Sequence, residues 1–210
     1  MEKIIVLGAG GYAEQLLWVV SRIENKEIVG FMDETISEEK QIGNIPVKSS
    51  LESFGLVLED KNIRLICSVG NINLREKWVN KYKDDFNFTS IIDPTALIAD
   101  DVYIGNNVII LGQTVLSSKA HVADNTNINW FCLITHHTTV GQFTSISSGV
   151  RLTGHASIGD YCDIGTNVTI IPYKKVGNHS VIGAGSVIIN DIPEYSVAVG
   201  IPAKVIKQNN

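Results

Sequence analysis

The sequence predicts an α/β protein in two parts: a Rossmann-like βαβαβ domain over residues 1–90, then a parallel β-helix with a C-terminal tail over residues 91–210. Three observations carry this expectation. From Ile92 to Ile188 every sixth residue is Ile, Leu or Val. Four residues after each of these stands a small or β-branched side chain, as at Ala96, Val108, Thr114, Cys132, Val150 and Ser186, with only Lys174 and Ile192 breaking the register. Before residue 90 the period is absent, and short apolar strands alternate with helical segments. A helix repeats about every 3.6 residues and an ordinary strand every two, so neither explains a sustained period of six. Short strands turning at regular corners, each burying one aliphatic side chain, do explain it.

In the first part, Lys3–Leu7, Glu27–Phe31 and Asn62–Ser68 read as strands. A helix through Leu16, Leu17, Val19 and Val20 follows the first, and a helix from Leu74 to Tyr82 follows the third. Strands alternating with helices imply a small parallel sheet with helical crossovers. The turn Gly8-Ala-Gly-Gly-Tyr-Ala13 joins strand to helix, where Gly8, Gly10 and Gly11 leave bare amides at a helix N-terminus that can receive a phosphate. Tight packing explains such a turn equally well. Asp33, at the end of the second strand, stands where a ribose-binding acid would lie, and a strand-end cap is its plainer reading. A complete dinucleotide site takes two such halves and one is present, which favours the nucleotide portion of a substrate over a redox cofactor.

In the second part three hexads make one triangular turn, so residues eighteen apart stack about 4.8 Å from one another. His136 then stacks against Gly154 and Pro172, and the next column runs Lys119, His137, His155, Tyr173. Both columns fall on outward, polar positions. A neutral imidazole at His136 can take a proton from an attacking amine or hydroxyl and pass it on. Gly154 has no side chain to obstruct a ligand, and its amide can face a developing oxyanion. No carboxylate or cysteine joins His136, His137 and His155 at a recognisable ligand spacing, so no metal is expected. Cys132 lies close in sequence to His136, but the register points it into the core and discounts it as a nucleophile. Trp130 falls outward and suggests a ligand or subunit contact.

The net charge of −5 is spread out, without the basic stripe a nucleic-acid surface requires. No apolar run approaches the roughly 18 residues of a membrane span, and the first residues lack a long apolar core with a small-residue cleavage site. The expected location is the cytoplasm. Cys67, Cys132 and Cys162 all sit at apolar or inward positions, as buried reduced thiols rather than a disulfide framework.

Several of these residues, taken together, resemble a known family. They are Gly8-Ala-Gly-Gly-Tyr12, Asp33, Val69-Gly-Asn71, Asn127-Ile-Asn129, the His136 corner with Val140-Gly141, Ile182-Gly-Ala-Gly-Ser-Val187 and Gly200-Ile-Pro-Ala-Lys204. The chain is similar to the hexapeptide-repeat acetyltransferases that act on nucleotide-linked amino sugars or on sialic acid. The resemblance implies a left-handed coil, a hand the period cannot supply and general crossover statistics oppose. It also implies a homotrimer with acetyl-CoA lying between neighbouring coils, and neither a membrane nor a nucleic-acid partner. By the same resemblance His136 is the catalytic base, with Asn129 lining the acceptor site. Gly154, His155, Gly183, Ala184, Gly185 and Lys204 lie along the acetyl-CoA path. Gly8, Gly10, Gly11, Tyr12, Asp33, Gly70 and Asn71 form the nucleotide-sugar pocket. The chain departs from the family in two places: His137 stands where an acid usually follows the base, and Tyr12 where histidine is usual. Lys174 and Lys175 are either contacts for CoA phosphates or a loop bulging from the coil.

The expected activity is acetyl-CoA-dependent N-acetylation of a nucleotide-linked amino sugar, a 4-amino-4,6-dideoxy sugar of bacterial surface glycans, by direct transfer without a metal. O-acetylation of a sialic acid, a silent β-helical binding protein and an NAD-binding regulator are the alternatives.

Overall fold

The computed structural model describes residues 1–38 and 40–208. The chain divides into two compact units, Met1–Asp93 and Pro94–Asn210.

The first unit opens with β1 (Glu2–Leu7), α1 (Gly11–Val20) and β2 (Lys26–Met32). A hairpin of β3 (Lys40–Ile42) and β4 (Ile45–Lys48) follows, then a 3-10 segment over Glu52–Glu59 broken by a kink at Gly55, β5 (Ile63–Cys67) and α2 (Ile72–Tyr82). The sheet order is β3-β4-β2-β1-β5. β1 pairs in parallel with β2 and β5, and only β3 runs antiparallel to its neighbour. The expected α-helical crossover between the second and third strands is therefore not formed, and a hairpin and a 3-10 helix replace it. Ile42-Gly-Asn-Ile45 carried the signal, a two-residue glycine turn between alternating apolar residues, and Gly43 takes the positive φ such a turn needs. Ile4 to Leu7 are fully buried, as expected for a parallel strand covered on both faces. α1 buries Ala13, Leu16, Val19 and Val20 along one face.

In the second unit two-residue strands stack into parallel sheets, one on each face of a triangular coil. Asn127 pairs with Ser145, Leu133 with Arg151 and Thr139 with Ser157, each eighteen residues on. From Ile110 through Ile188 no member of the six-residue series is more than 2% exposed. Each such side chain contributes about 1.5–3 kcal/mol by burial. Ile98 and Ile104 are half-buried because their strands end their sheets or have a rung on one side only. The small inward residues fill the spaces between the aliphatics, and their hydroxyls find carbonyl partners. Thr114 donates to the Asn129 carbonyl at 2.8 Å, Thr126 to Gly141 at 2.9 Å and Thr144 to Gly159 at 2.8 Å. These inward hydroxyls are thereby satisfied.

Two irregularities differ from the sequence reading. Lys174 and Lys175 form no bulge: Tyr173 stacks in column with His155, and the strand Lys175–Val176 pairs in register with Ser157–Ile158. The last turn is short, since Ile182 pairs with Ala198, sixteen residues on, and Val176 bridges Ile192 at the same interval. Ile192, which appeared to break the small-residue register, thus occupies a buried aliphatic position. The expected tail is a hairpin of Ser196–Gly200 and Ala203–Gln208, joined to the coil through Val181–Ile182.

No helix among the described residues is long and apolar enough to cross a membrane.

Candidate active site

Two edges of the coil carry the residues expected to act. His136 and His137 follow the strand Leu133–Ile134, and Gly154 and His155 follow Arg151–Leu152, one rung on. The His155 amide donates to the His136 carbonyl at 3.2 Å, and the His137 amide to the Ser118 carbonyl one rung below at 3.1 Å. A Cβ placed on Gly154 would lie 2.6 Å from His136 Cε1 and 2.8 Å from Nε2. The imidazole therefore lays its Nε2 edge against bare backbone, and only glycine leaves that approach open. The Gly154 N–H makes no hydrogen bond among the described residues. At another corner of the coil the equivalent amides are closed off: those of Asn106, Gln142 and Asp160 donate to the side chains of Asp124, Asp160 and Asn178.

His136 Nδ1 lies 3.2 Å from His137 Nδ1. His137, His155 and Tyr173 all take positive φ at their corners, so their rings repeat one geometry. They stack at centroid distances of 4.7 and 4.8 Å, with His136 standing at 83° and 81° to the two imidazoles. Desolvation holds the pKa of His137 below the usual imidazole value, helped by the like charges of His155, Lys119 and His136, while Asp101 pulls weakly the other way. Neutral His137 can accept the His136 Nδ1–H at its own Nδ1, which leaves the lone pair of His136 on Nε2, beside Gly154. A neutral ring at this distance can orient its neighbour.

This arrangement sets a pH dependence. Protonated His137 has no lone pair at Nδ1, so turnover should fall on acidification, with a midpoint for that step below the ordinary imidazole range because its pKa is lowered. His137→Ala should cost about tenfold in kcat, the equivalent of one hydrogen bond worth about 1.4 kcal/mol. His137→Glu should restore the rate and move the acid limb lower. Rate profiles from about pH 5 to 8 would show this, and identical profiles in all three proteins would exclude the orienting role.

Asp101 was passed over in the sequence although it stands eighteen residues before Lys119. Its carboxylate accepts the Ser118 hydroxyl at 2.7 Å and the Lys119 amide at 3.2 Å, which ties down the rung beneath the histidines. Those bonds hold its pKa below the usual carboxylate value.

The second edge follows the strands Asn127–Ile128 and Val181–Ile182, which belong to one sheet through Ser145–Ile146 and Asp163–Ile164. Asn129 and Gly183 each stand two residues beyond Asn127 and Val181, so Asn129 and Gly183-Ala184-Gly185 line the same edge. Asn129 Nδ2 donates to the Ile146 carbonyl at 3.3 Å. Trp130 folds back over Gly112, where a Cβ would meet its Cζ3 at 2.5 Å. A Cβ on Gly183 would meet Val199 Cγ1 at 2.6 Å, so glycine there admits the C-terminal hairpin, on which exposed Lys204 pairs opposite Val199. Within one chain the strand Leu133–Ile134 separates Asn129 from His136, and the two do not form a common site. The six-residue period places a residue on an edge without revealing which edges meet.

Cys132 is buried, with Sγ 3.2 Å from the Ser147 carbonyl, and burial pushes its thiol up to about 11. Cys67 and Cys162 are likewise raised to about 11 by burial. None of the three is poised as a thiolate nucleophile.

In the first unit the glycine turn, Asp33 and Val69-Gly-Asn71 gather at the carboxyl ends of β1, β2 and β5, the end of a parallel sheet where ligands enter. Gly8 takes φ +106°, and a Cβ there would approach Ser68 Oγ to 2.9 Å, so this glycine serves close packing. Gly10, Gly11 and Gly70 face open space. Gly10 caps α1 without any side-chain bond, while Tyr12 lies half-buried on the first turn. Asp33 accepts the Ala9 amide at 3.1 Å and the Thr35 amide and hydroxyl at 3.0 and 2.6 Å, so it holds the glycine turn in shape. Asn71 caps α2 by accepting the Leu74 amide at 3.0 Å.

The chain thus joins an α/β unit open at its strand ends to a hexapeptide coil in which an imidazole lies against a glycine. Residues 3–82 match the family model described as the PglD N-terminal domain. No curated protein sequence matches the chain significantly. Among solved structures, the acetyltransferase domain of PglB from Neisseria gonorrhoeae FA1090 is 26% identical, with 98% of this chain and 100% of that one covered at a TM-score of 0.87. PerB from Caulobacter crescentus, solved with CoA and GDP-perosamine, is 23% identical over 98% of this chain and 97% of its own, with a TM-score of 0.89. WeeI from Acinetobacter baumannii AYE is 22% identical over 97% and 99%, with a TM-score of 0.85. The coil is left-handed, as in these acetyltransferases. Residues 3–82 form a PglD-type N-terminal domain, and over nearly its whole length the chain shares the fold of the N. gonorrhoeae acetyltransferase domain.

Proposed function

We propose that this protein transfers an acetyl group from acetyl-CoA to the amine of a nucleotide-linked 4-amino-4,6-dideoxy sugar, with His136 as general base. Acetyl-CoA is the donor, as in the N. gonorrhoeae domain solved with acetyl coenzyme A. The acceptor class follows the PerB complex with GDP-perosamine. The observation that carries the mechanism is the contact of His136 Nε2 with the bare backbone of Gly154.

The amine attacks the thioester carbonyl while His136 Nε2 takes its proton, and the Gly154 N–H supports the oxyanion of the tetrahedral intermediate. Collapse expels the CoA thiolate, which the imidazolium protonates. His137 steadies the developing charge through the Nδ1 hydrogen bond. The open amides at Gly10, Gly11 and Gly70 receive the nucleotide phosphates.

The separation of the two edges favours a homotrimer. In a ring of three coils the His136 edge of one chain faces a different edge of its neighbour, and Asn129 with Gly183-Ala184-Gly185 lies on such an edge. A cytoplasmic reaction fits a donor and an acceptor that are both cytoplasmic metabolites.

A panel of UDP-, dTDP- and GDP-linked 4-amino sugars and free sialic acid, each incubated with acetyl-CoA and analysed by mass spectrometry, tests the reading. The expected product is an amide on a nucleotide-linked sugar. An ester on sialic acid alone, or acetyl-CoA binding without turnover on any acceptor, would overturn it.

A further inference from the structure

The substitution of a histidine for the usual acid after the base has a second chemical consequence. It places three imidazoles on one exposed coil edge, and the ligand nitrogens of His136, His137 and His155 all lie within 4.8 Å of one another. The sequence showed no ligand spacing because His155 is a full turn of the coil away from His137; the eighteen-residue stacking brings them together. A tetrahedral Zn²⁺ with Zn–N bonds of about 2.0–2.1 Å spaces its nitrogens about 3.3–3.4 Å apart. The Nδ1 atoms of His136 and His137 stand 3.2 Å apart, close to that edge length. His155, exposed on the same edge, must turn out of its stack between His137 and Tyr173 to close the remaining gap. Neutral imidazoles are the preferred ligands of late first-row divalent ions, and no proton charge has to be expelled from a neutral ring to admit one.

We propose that His136, His137 and His155 bind a late first-row divalent transition-metal ion such as Zn²⁺, and that the bound ion shuts off acetyl transfer. With the ion on Nδ1 of His136, the proton shared between the two Nδ1 atoms leaves. Nε2 takes one from water, so no net proton is lost. Nε2 then carries a hydrogen in place of the lone pair that faces Gly154, and the ring has nothing with which to accept the amine's proton. The inhibition is reversible, since no covalent bond to carbon forms. Its second half rests on the acetyltransferase reading above, and the site itself does not.

The test uses untagged full-length protein stripped with a chelator. Calorimetric titration with ZnCl₂ should show saturable binding of one ion per chain, and CoCl₂ should give a visible ligand-field band. His137→Ala and His155→Ala, checked by circular dichroism for an intact fold, should each weaken binding by at least about tenfold, since even an outer-shell partner is worth about 10- to 100-fold. Saturating Zn²⁺ should stop formation of the acetylated sugar by the wild type, and chelator should restore it. No saturable binding, or equal affinity in both variants, overturns the site. Binding with undiminished acetyl transfer overturns the shut-off. If the metal-free protein acetylates nothing, the functional reading fails while the calorimetric result still decides the site.

Discussion

His136→Ala is expected to lower kcat by about 10²- to 10⁴-fold, the usual contribution of a positioned general base. The amine of a sugar must lose a proton as it attacks, and Nε2 of this imidazole stands beside the backbone slot where the thioester would lie. Binding should survive, because the ring is exposed and no part of the fold packs on it in the way the core aliphatics pack. Acetyl-CoA should therefore still raise the melting temperature of the variant, as any ligand of the native state does. His136→Asn, which keeps a polar side chain without a titratable nitrogen, should lose as much. Near-wild-type turnover in either variant would remove His136 from the mechanism.

Gly154→Ala should be nearly as damaging, for a geometric reason. A methyl group at this position would come within 2.6 Å of His136 Cε1, a distance no real Cβ tolerates, so the imidazole must move. A displacement of about 1 Å from the productive position is enough for roughly 10²-fold in rate. The exposed ring moves more easily than the coil, so the urea midpoint of the variant should stay near wild type while kcat falls. If Gly154→Ala loses stability and keeps its rate, the glycine serves packing and the slot beside His136 is not where the reaction occurs. Gly183→Ala provides the contrast. There the close neighbour is Val199 of the C-terminal hairpin, and the strain falls on the attachment of that hairpin.

The coil was legible because its signal is local and redundant. Each turn buries one aliphatic and one small residue per side, so the period survives Lys174 and the shortened last rung. The stacking of His136 on Gly154 and of His137 on His155 and Tyr173 follows from that period alone. The first unit was less legible. The Lys40–Ile42 and Ile45–Lys48 strands hold only three and four residues and no other hairpin among the described residues repeats their pattern, so the glycine turn at Gly43 went unread. Asp33 and Asn71 show the limit of motif reading: both stand where a ligand-binding residue would, and both already cap local backbone.

By itself the amino-acid order determined the rung, the inward and outward faces, and the glycine beside the imidazole, since all of these depend only on how many residues separate two positions. Three-dimensional packing decided which ring nitrogen meets which. It turned His137 into the partner of His136 at 3.2 Å and brought the ligand nitrogens of three histidines within 4.8 Å of one another. A repeat fixes translation along the coil axis, whereas ring orientation and the pairing of edges depend on backbone turns and contacts that no single repeat contains.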